Sequence, residues 1–336
     1  MTAPPAEHTE ATRTRSSPKR AKSDPTRRIY ALLVFIVLEM SIFALFVPDF
    51  WTQRNLVSTG RLNAVVAIVA IGVTFGLISG AIDISVGAVI ALSGVVGGQL
   101  LGHGFPAPLA ALGTVAAGTL AGFTNGFFVT RFRVHPLIVT IGMLSVARGL
   151  AFVLADGRSV IISDDFFNVF QSKWFGVPLP VLLAAVAFLV GHYVLAWTHF
   201  GRYTYAMGGN DVAARAVALP VDRLRTYYLG LSGGLAGLGG WVLASAVGAS
   251  VPSAARGTEL VVITAVLLGG VGFSGGSGNL LGTFLGVVLI GAMVNGMALQ
   301  GLGPSHRLIV LGLALILPLA LEARKLEGFG WRTSAT

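Results

Sequence analysis

In the stretch SGAIDISVGAVIAL, Ser79 to Leu92, one aspartate interrupts a lipid-compatible run: Asp83 is the only charge between Ala64 and Leu101. A carboxylate at membrane depth is costly unless it faces protein or water, so a role in a pathway or gate is the default reading. Gly80 and Gly87 bound it and Ser85 follows, a pattern that also suits the start of a half-helix, where Asp or Ser caps free backbone N–H groups. The two readings are compatible, because unwound backbone at that depth is tolerated only beside protein or a cavity.

A second break reads LLGGVGFSGGSGNLLG, Leu267 to Gly282. Laid against the first, Gly80–Gly87 falls on Gly269–Gly276, with Gly, Ser and Gly in register (Ser85 against Ser274). Broken segments at related places in two halves point to a transport site. Glycine-rich loops also cradle phosphates, but GxxxxGK[ST] does not occur: none of Lys19, Lys22, Lys173 and Lys325 follows a glycine. The chain is therefore expected not to hydrolyse ATP itself. The other polar groups within apolar segments include Glu39, Asn125, Arg148, Glu259 and Asn295. Arg148 either snorkels, pairs with a carboxylate or meets substrate, and the asparagines suit bonds between helices. Six histidines without HExxH spacing suggest no metal site, and no cofactor is implied. The candidate path or gate residues are Asp83, Ser85, Asn125, Arg148, Glu259, Ser274 and Asn295.

The elements that must position these groups follow from composition. Of 336 residues, 54% are hydrophobic and 11% charged, which no soluble globule matches. The apolar runs are continuous and do not alternate with period two, so an all-α polytopic membrane protein is expected rather than a barrel. About ten spans are predicted, at 30–48, 61–80, 84–101, 107–129, 137–155, 180–198, 226–248, 259–272, 280–298 and 307–322, with discontinuous polar and Gly-rich breaks. Residues 1–28 read as a disordered basic cytoplasmic tail, 29–322 as the transmembrane domain and 323–336 as a C-terminal cytoplasmic tail. The first apolar run carries Glu39 and lacks a small-x-small cleavage site, so it reads as a retained signal-anchor.

With the N-terminus inside, Lys and Arg number seven in the tail, two in loop 130–135, four in loop 199–225 and three at the C-terminus, against six outside. That asymmetry fixes the expected orientation and accounts for the net charge of +9 without nucleic acid. Cysteine is absent, excluding disulfides and thiol chemistry. Small-xxx-small spacing recurs in Gly118/Gly122/Gly126, Gly94/Gly98, Gly230/Gly234 and Gly282/Gly286, which predicts close helix packing and a possible dimer.

The loop HFGRYTYAMGGNDVAARAVALPVDRLRTYY, from His199, holds a short predicted helix. Asn210 or Asp211 caps it after the flexible Gly208-Gly209 pair, Val212, Ala216 and Leu219 share one face, and Pro220 ends it. Small alanines and mixed charge anchor poorly on lipid and suit a protein groove.

Several blocks resemble a known family. GAIDISVGAVIALSGVV resembles the G-[I/L]-D-[L/I]-S-V-G signature of ribose-type ABC sugar permeases, and GGNDVAARAVALPVDRLR their cytoplasmic loop G-x-N-x-x-A-A-x-x-x-G-[I/V]. VHPLIVTIGMLSVARGL, GGVGFSGGSGNLLGTFLG and the Asn-Gly of AGFTNGFFVTRFRV agree as well, over about residues 60–320. Gly272, Ser277 and Leu219 depart from the pattern, the last standing for a usual glycine. The resemblance implies ABC importer permease architecture and a subunit of a bacterial inner-membrane importer of a monosaccharide, surrounded by membrane lipid. Implied partners are a cytoplasmic ABC ATPase subunit, a periplasmic sugar-binding protein and a second permease copy. The coupling loop implied is Gly208, Gly209, Asn210, Ala213, Ala214, Arg215, Leu219 and Pro220. An ion-coupled secondary transporter of a small polar solute is the alternative.

Overall fold

The computed structural model describes residues 25–162 and 172–327. The predicted tails fall largely outside these, at 1–24 and 328–336. The described residues form helices α1 (Pro25–Phe46), α2 (Gln53–Ser79), α3 (Val86–Gly102), α4 (Ala107–Arg131), α5 (Pro136–Leu154), α6 (Leu179–Trp197), α7 (His199–Gly209), α8 (Asp211–Ala216), α9 (Val221–Val247), α10 (Thr258–Leu268), α11 (Leu280–Leu299) and α12 (Pro304–Glu327). Two antiparallel pairs of two-residue strands lie at one end: β1 (Val160–Ile161) with β4 (Ala249–Ser250), and β2 (Lys173–Trp174) with β3 (Val177–Pro178).

Seven of these helices are long and apolar enough to cross a membrane, and the shorter apolar α3, α10 and Pro304–Ile316 complete the ten predicted segments. Boundaries differ where propensity outruns hydropathy. α1 begins at Pro25, whose fixed φ suits a first turn, and α12 continues to Glu327 through Leu, Glu, Ala, Arg and Lys, all strong helix formers. α10 stops at Leu268, short of the predicted 272, because Gly269-Gly270 follows and Gly270 is left-handed at φ 90°.

α2 and α9 lie at the centre. α3 and α4 pack against α9 on one side, while α6, α11 and α10 pack against α2 on the other. Glycine makes the tightest contacts. On α4, a methyl at Gly118 would lie 2.8 Å from the Gly237 Cα, and one at Gly126 would lie 2.7 Å from the Thr226 Cα, so two backbones are in contact. The other three ladders also engage within the chain: Gly94 on Gly240, Gly230 on the Phe123 ring and Gly286 on the Ala265 carbonyl. Peripheral helices expose long apolar side chains, among them Leu45 on α1, Leu112 on α4 and Leu189 on α6, an apolar surface that a bilayer covers.

Candidate functional site

The first break, between α2 and α3, is bonded to α4, α5 and α9. α2 ends on Gly80, left-handed at φ 79°, with the Ala81 N–H donating to the Gly76 carbonyl at 2.8 Å. Asp83 lies beyond it, 1% exposed. Its Oδ1 accepts from the Ser85 N–H at 3.0 Å and the Ser85 hydroxyl at 2.6 Å, and its Oδ2 accepts from the Ser232 hydroxyl of α9 at 2.8 Å. Asn125 of α4 donates through Nδ2 to the Ser85 Oγ at 3.1 Å, and Thr140 of α5 donates to the Ile82 carbonyl at 3.4 Å. Ser85 occupies the N-cap position of α3, so Asp83 works one step earlier, closing an Asx turn onto the residue that starts the helix. Among the described residues no cation pairs with Asp83. Its burial is matched instead by three donors, which is how a carboxylate is kept inside protein.

Arg148 and Glu259 form a second group, higher on α3. The segment between β4 and α10 runs beside α3 from Ser250, whose hydroxyl donates to the Gly94 carbonyl at 2.6 Å, to Ala255, whose carbonyl faces Gly87. Arg148 on α5 straps this segment down, its Nη1 donating to the Pro252 and Ala254 carbonyls at 3.0 and 2.6 Å. Arg256 stacks over Phe152 at 5.8 Å. Glu259, in the first turn of α10, accepts from the Gly257 N–H at 3.2 Å and lies against Gly87, where any side chain would strike its Oε2. Arg148 thus holds carbonyls rather than a carboxylate. At about 1.5 Å rise per residue the 11-residue α10 reaches only some 16 Å, about half a hydrocarbon core, and irregular backbone beside α3 supplies the rest. The sequence reading placed this segment in an outer loop.

At the opposite end of the bundle from the strands, α7 meets both predicted breaks, and α8 follows it. The Gly276 N–H of the second break donates to the Ile78 carbonyl, just before the first, at 2.8 Å, and Tyr205 of α7 donates to the Gly278 carbonyl at 2.8 Å. Gly208 is wedged between them: a methyl there would meet the Ile78 carbonyl and lie 2.5 Å from the Gly276 nitrogen. Gly208 is therefore a packing point, whereas the sequence suggested a flexible pair. Ser274 lies exposed in the Gly-rich loop at this end, apart from Asp83, and Asn295 is half-buried on α11 in neither polar group.

Asn210 is the cap of α8, its Oδ1 accepting from the Ala213 N–H at 2.9 Å. Arg215 grips Asp222 with two bonds, at 2.6 and 3.1 Å, and lies 3.6 Å from Asp211, which also approaches Arg225 at 3.6 Å. The bond to Asp222 raises the Arg215 guanidinium pKa above its ordinary value, so the clasp persists wherever Asp222 is ionised. Ala214 is 4% exposed and faces the bundle, while Val212 and Val217 are 78% and 73% exposed. Ala213, Ala216 and Pro220 are exposed too, and Leu219 is partly buried. The left-handed residue of this turn is Ala218, at φ 60°, one place before Leu219.

The predicted residues thus separate. Asp83, Ser85 and Asn125 come together with Ser232, which the sequence did not single out; Arg148 and Glu259 flank the segment 250–257 beside α3; Ser274 joins the α7 end; Asn295 joins none. Ser232 lies 149 residues from Asp83 among small residues, and no local pattern marks it.

A family model described as branched-chain amino acid transport system / permease component matches residues 55–319. The L-arabinose ABC transporter permease protein AraH of Azospirillum brasilense is 36% identical over 87% of this chain and 86% of its own length. The ribose import permease protein RbsC of Escherichia coli (strain K12) is 33% identical over 89% of this chain and 94% of its own, and that of Bacillus subtilis (strain 168) is 33% identical over 87% and 91%. A solved inward-facing metal-chelate type ABC transporter aligns over 92% of this chain and all of its own, with TM-score 0.46 and 14% identity.

Proposed function

Because the chain belongs to the branched-chain amino acid transport system / permease component family, among ABC permeases of the ribose type, we propose that it carries a monosaccharide inward, driven by a separate cytoplasmic ATPase subunit. The observation that carries this reading is the corner at α7 and α8. Two exposed apolar residues, Val212 on α8 and Val217 at its C-cap, stand where the helix is pinned by the Arg215–Asp222 clasp, and Gly208 abuts both helix breaks. A partner that moves α8 therefore pushes, through the adjoining end of α7, on the ends of α2 and the Gly-rich loop.

The remaining assignments extend it. The Lys and Arg bias supports a cytoplasmic side for α8 and both termini at a bacterial inner membrane, which leaves the strand-bearing end to a periplasmic sugar-binding protein. Two copies form the conduit. Its wall is the exposed small and polar face of α5, where side chains added at Gly142 and Gly149 would meet nothing and Ser145 lies between them, with Arg148 and Glu259 behind. Hydroxyls and carbonyls with few charges suit a neutral, hydroxyl-rich solute. ATP acts by binding differently to two states of the assembly, which shifts the population between inward- and outward-open forms.

The test is association. Val212→Glu with Val217→Glu buries two charges in the proposed groove and should weaken copurification of the ATPase about tenfold or more while the bundle stays monodisperse. Undiminished association would remove α8 as the docking element.

A further inference from the structure

A buried hydroxyl pair links the cytosolic helix to the Asp83 break by a second route. Tyr228 of α9 is fully buried, and its hydroxyl donates to the Phe200 carbonyl in the first turn of α7 at 3.2 Å. The Thr204 hydroxyl, one turn further along α7, donates to the Tyr228 oxygen at 3.0 Å. The Phe200 ring lies on the Tyr228 ring at 4.7 Å and reaches Phe75 of α2 at 5.9 Å. Tyr228 and Ser232 are four residues apart on α9 and so share one face about 6 Å apart along the axis. Ser232 is the donor to Asp83.

Phenylalanine would fill the same space at Tyr228 and bring no polar atom to satisfy. Thr204 does not need Tyr228 either, since the Phe200 carbonyl lies 2.9 Å from its own hydroxyl. What the phenol adds, beside the contact of the Phe200 and Tyr228 rings, is a directional tie between α7 and α9. We propose that Tyr228, through the Thr204 hydroxyl and the Phe200 carbonyl, is a positioning residue that transmits displacement of the coupling helices along α9 to Ser232 and the Asp83 clasp. The proposal rests on the importer reading above. Gly208 against Ile78 sets where α7 sits; the phenol sets the rotation of α9 that follows it.

The experiment uses the complete importer, permease with its ATPase and binding protein, in proteoliposomes, and reads sugar imported per ATP hydrolysed. Tyr228→Phe should leave ATPase association and hydrolysis in place and lower that ratio about fivefold or more, the low end of coupling between linked sites. Ser232→Ala should lower it too, and the double variant should fall no further than the worse single, since both act in one chain. Thr204→Ser, which keeps the hydroxyl, should retain the wild-type ratio. If Tyr228→Phe does not fold, Thr204→Val combined with Ser232→Ala carries the same non-additivity test. A ratio unchanged in Tyr228→Phe, or single effects that multiply, would overturn the relay; either leaves the importer reading standing. A wild-type complex that imports nothing on ATP would remove that reading and the relay with it.

Discussion

Removing the Asp83 carboxylate separates a structural clasp from a charge that takes part in transport. Asp83→Ala strands the Ser85 N–H, the Ser85 hydroxyl and the Ser232 hydroxyl, all buried. Each stranded buried donor costs about 1–3 kcal/mol, and because the two hydroxyls can turn to nearby carbonyls the sum comes to roughly 3–5 kcal/mol. Asp83→Asn keeps an oxygen on Ser85 and turns an amide toward Ser232, whose hydroxyl then accepts, so its loss is about 1 kcal/mol. Thermal unfolding in detergent, followed by loss of the monodisperse peak, should therefore put the alanine variant well below wild type and the asparagine variant close to it. ATP-driven uptake should follow the same order, with Asp83→Asn retaining most of it. The reasoning fails if both variants keep the wild-type unfolding temperature and both lose uptake. The negative charge would then be acting in transport itself, as an ion-coupled carrier requires.

Gly122→Ala should destabilise the bundle by about 1–3 kcal/mol, because the methyl meets the Leu229 carbonyl and lies 3.0 Å from the Gly230 Cα, and backbone cannot rotate away; an unshifted Tm would contradict the α4–α9 packing. Ala218→Gly should relieve about 1 kcal/mol of left-handed strain, less a few tenths for glycine entropy, and slow amide exchange over residues 211–219; equal or faster exchange would argue against that turn. Arg148→Gln should loosen the segment strapped beside α3 and speed exchange at residues 251–257, with Arg148→Lys intermediate because its ammonium is a point donor. Unchanged protection there would mean that the strap holds nothing.

The class of this protein was legible because ten apolar windows leave no soluble alternative, and the helices fall where those windows lie. Asp83 and Ser85 were legible because one charge bounded by glycines stands out against lipid-compatible sequence, and Asn210 because capping is a local transaction between residues three apart. Contacts that depend on three-dimensional closure were not. Ser232 is one serine among many until α2 and α9 meet, and Arg148 signalled only the need for a partner, which proved to be carbonyls from residues more than 100 positions away. The segment SVPSAARG, Ser250 to Gly257, carries the proline, serines and arginine of a surface loop. Only its fit along α3, against Gly87 and Gly98 and with Ser250 bonded to the Gly94 carbonyl, makes it a strap. Ala214 shows the same limit on a smaller scale, since helical phase alone did not tell which face of a six-residue helix turns inward.

The most direct measurement is uptake of radiolabelled monosaccharide into vesicles holding this permease, assayed with and without the ATPase subunit, the binding protein and ATP. The account predicts accumulation only when all three components and ATP are present. Accumulation by the permease alone, or driven by an imposed proton or sodium gradient without ATP, would contradict it.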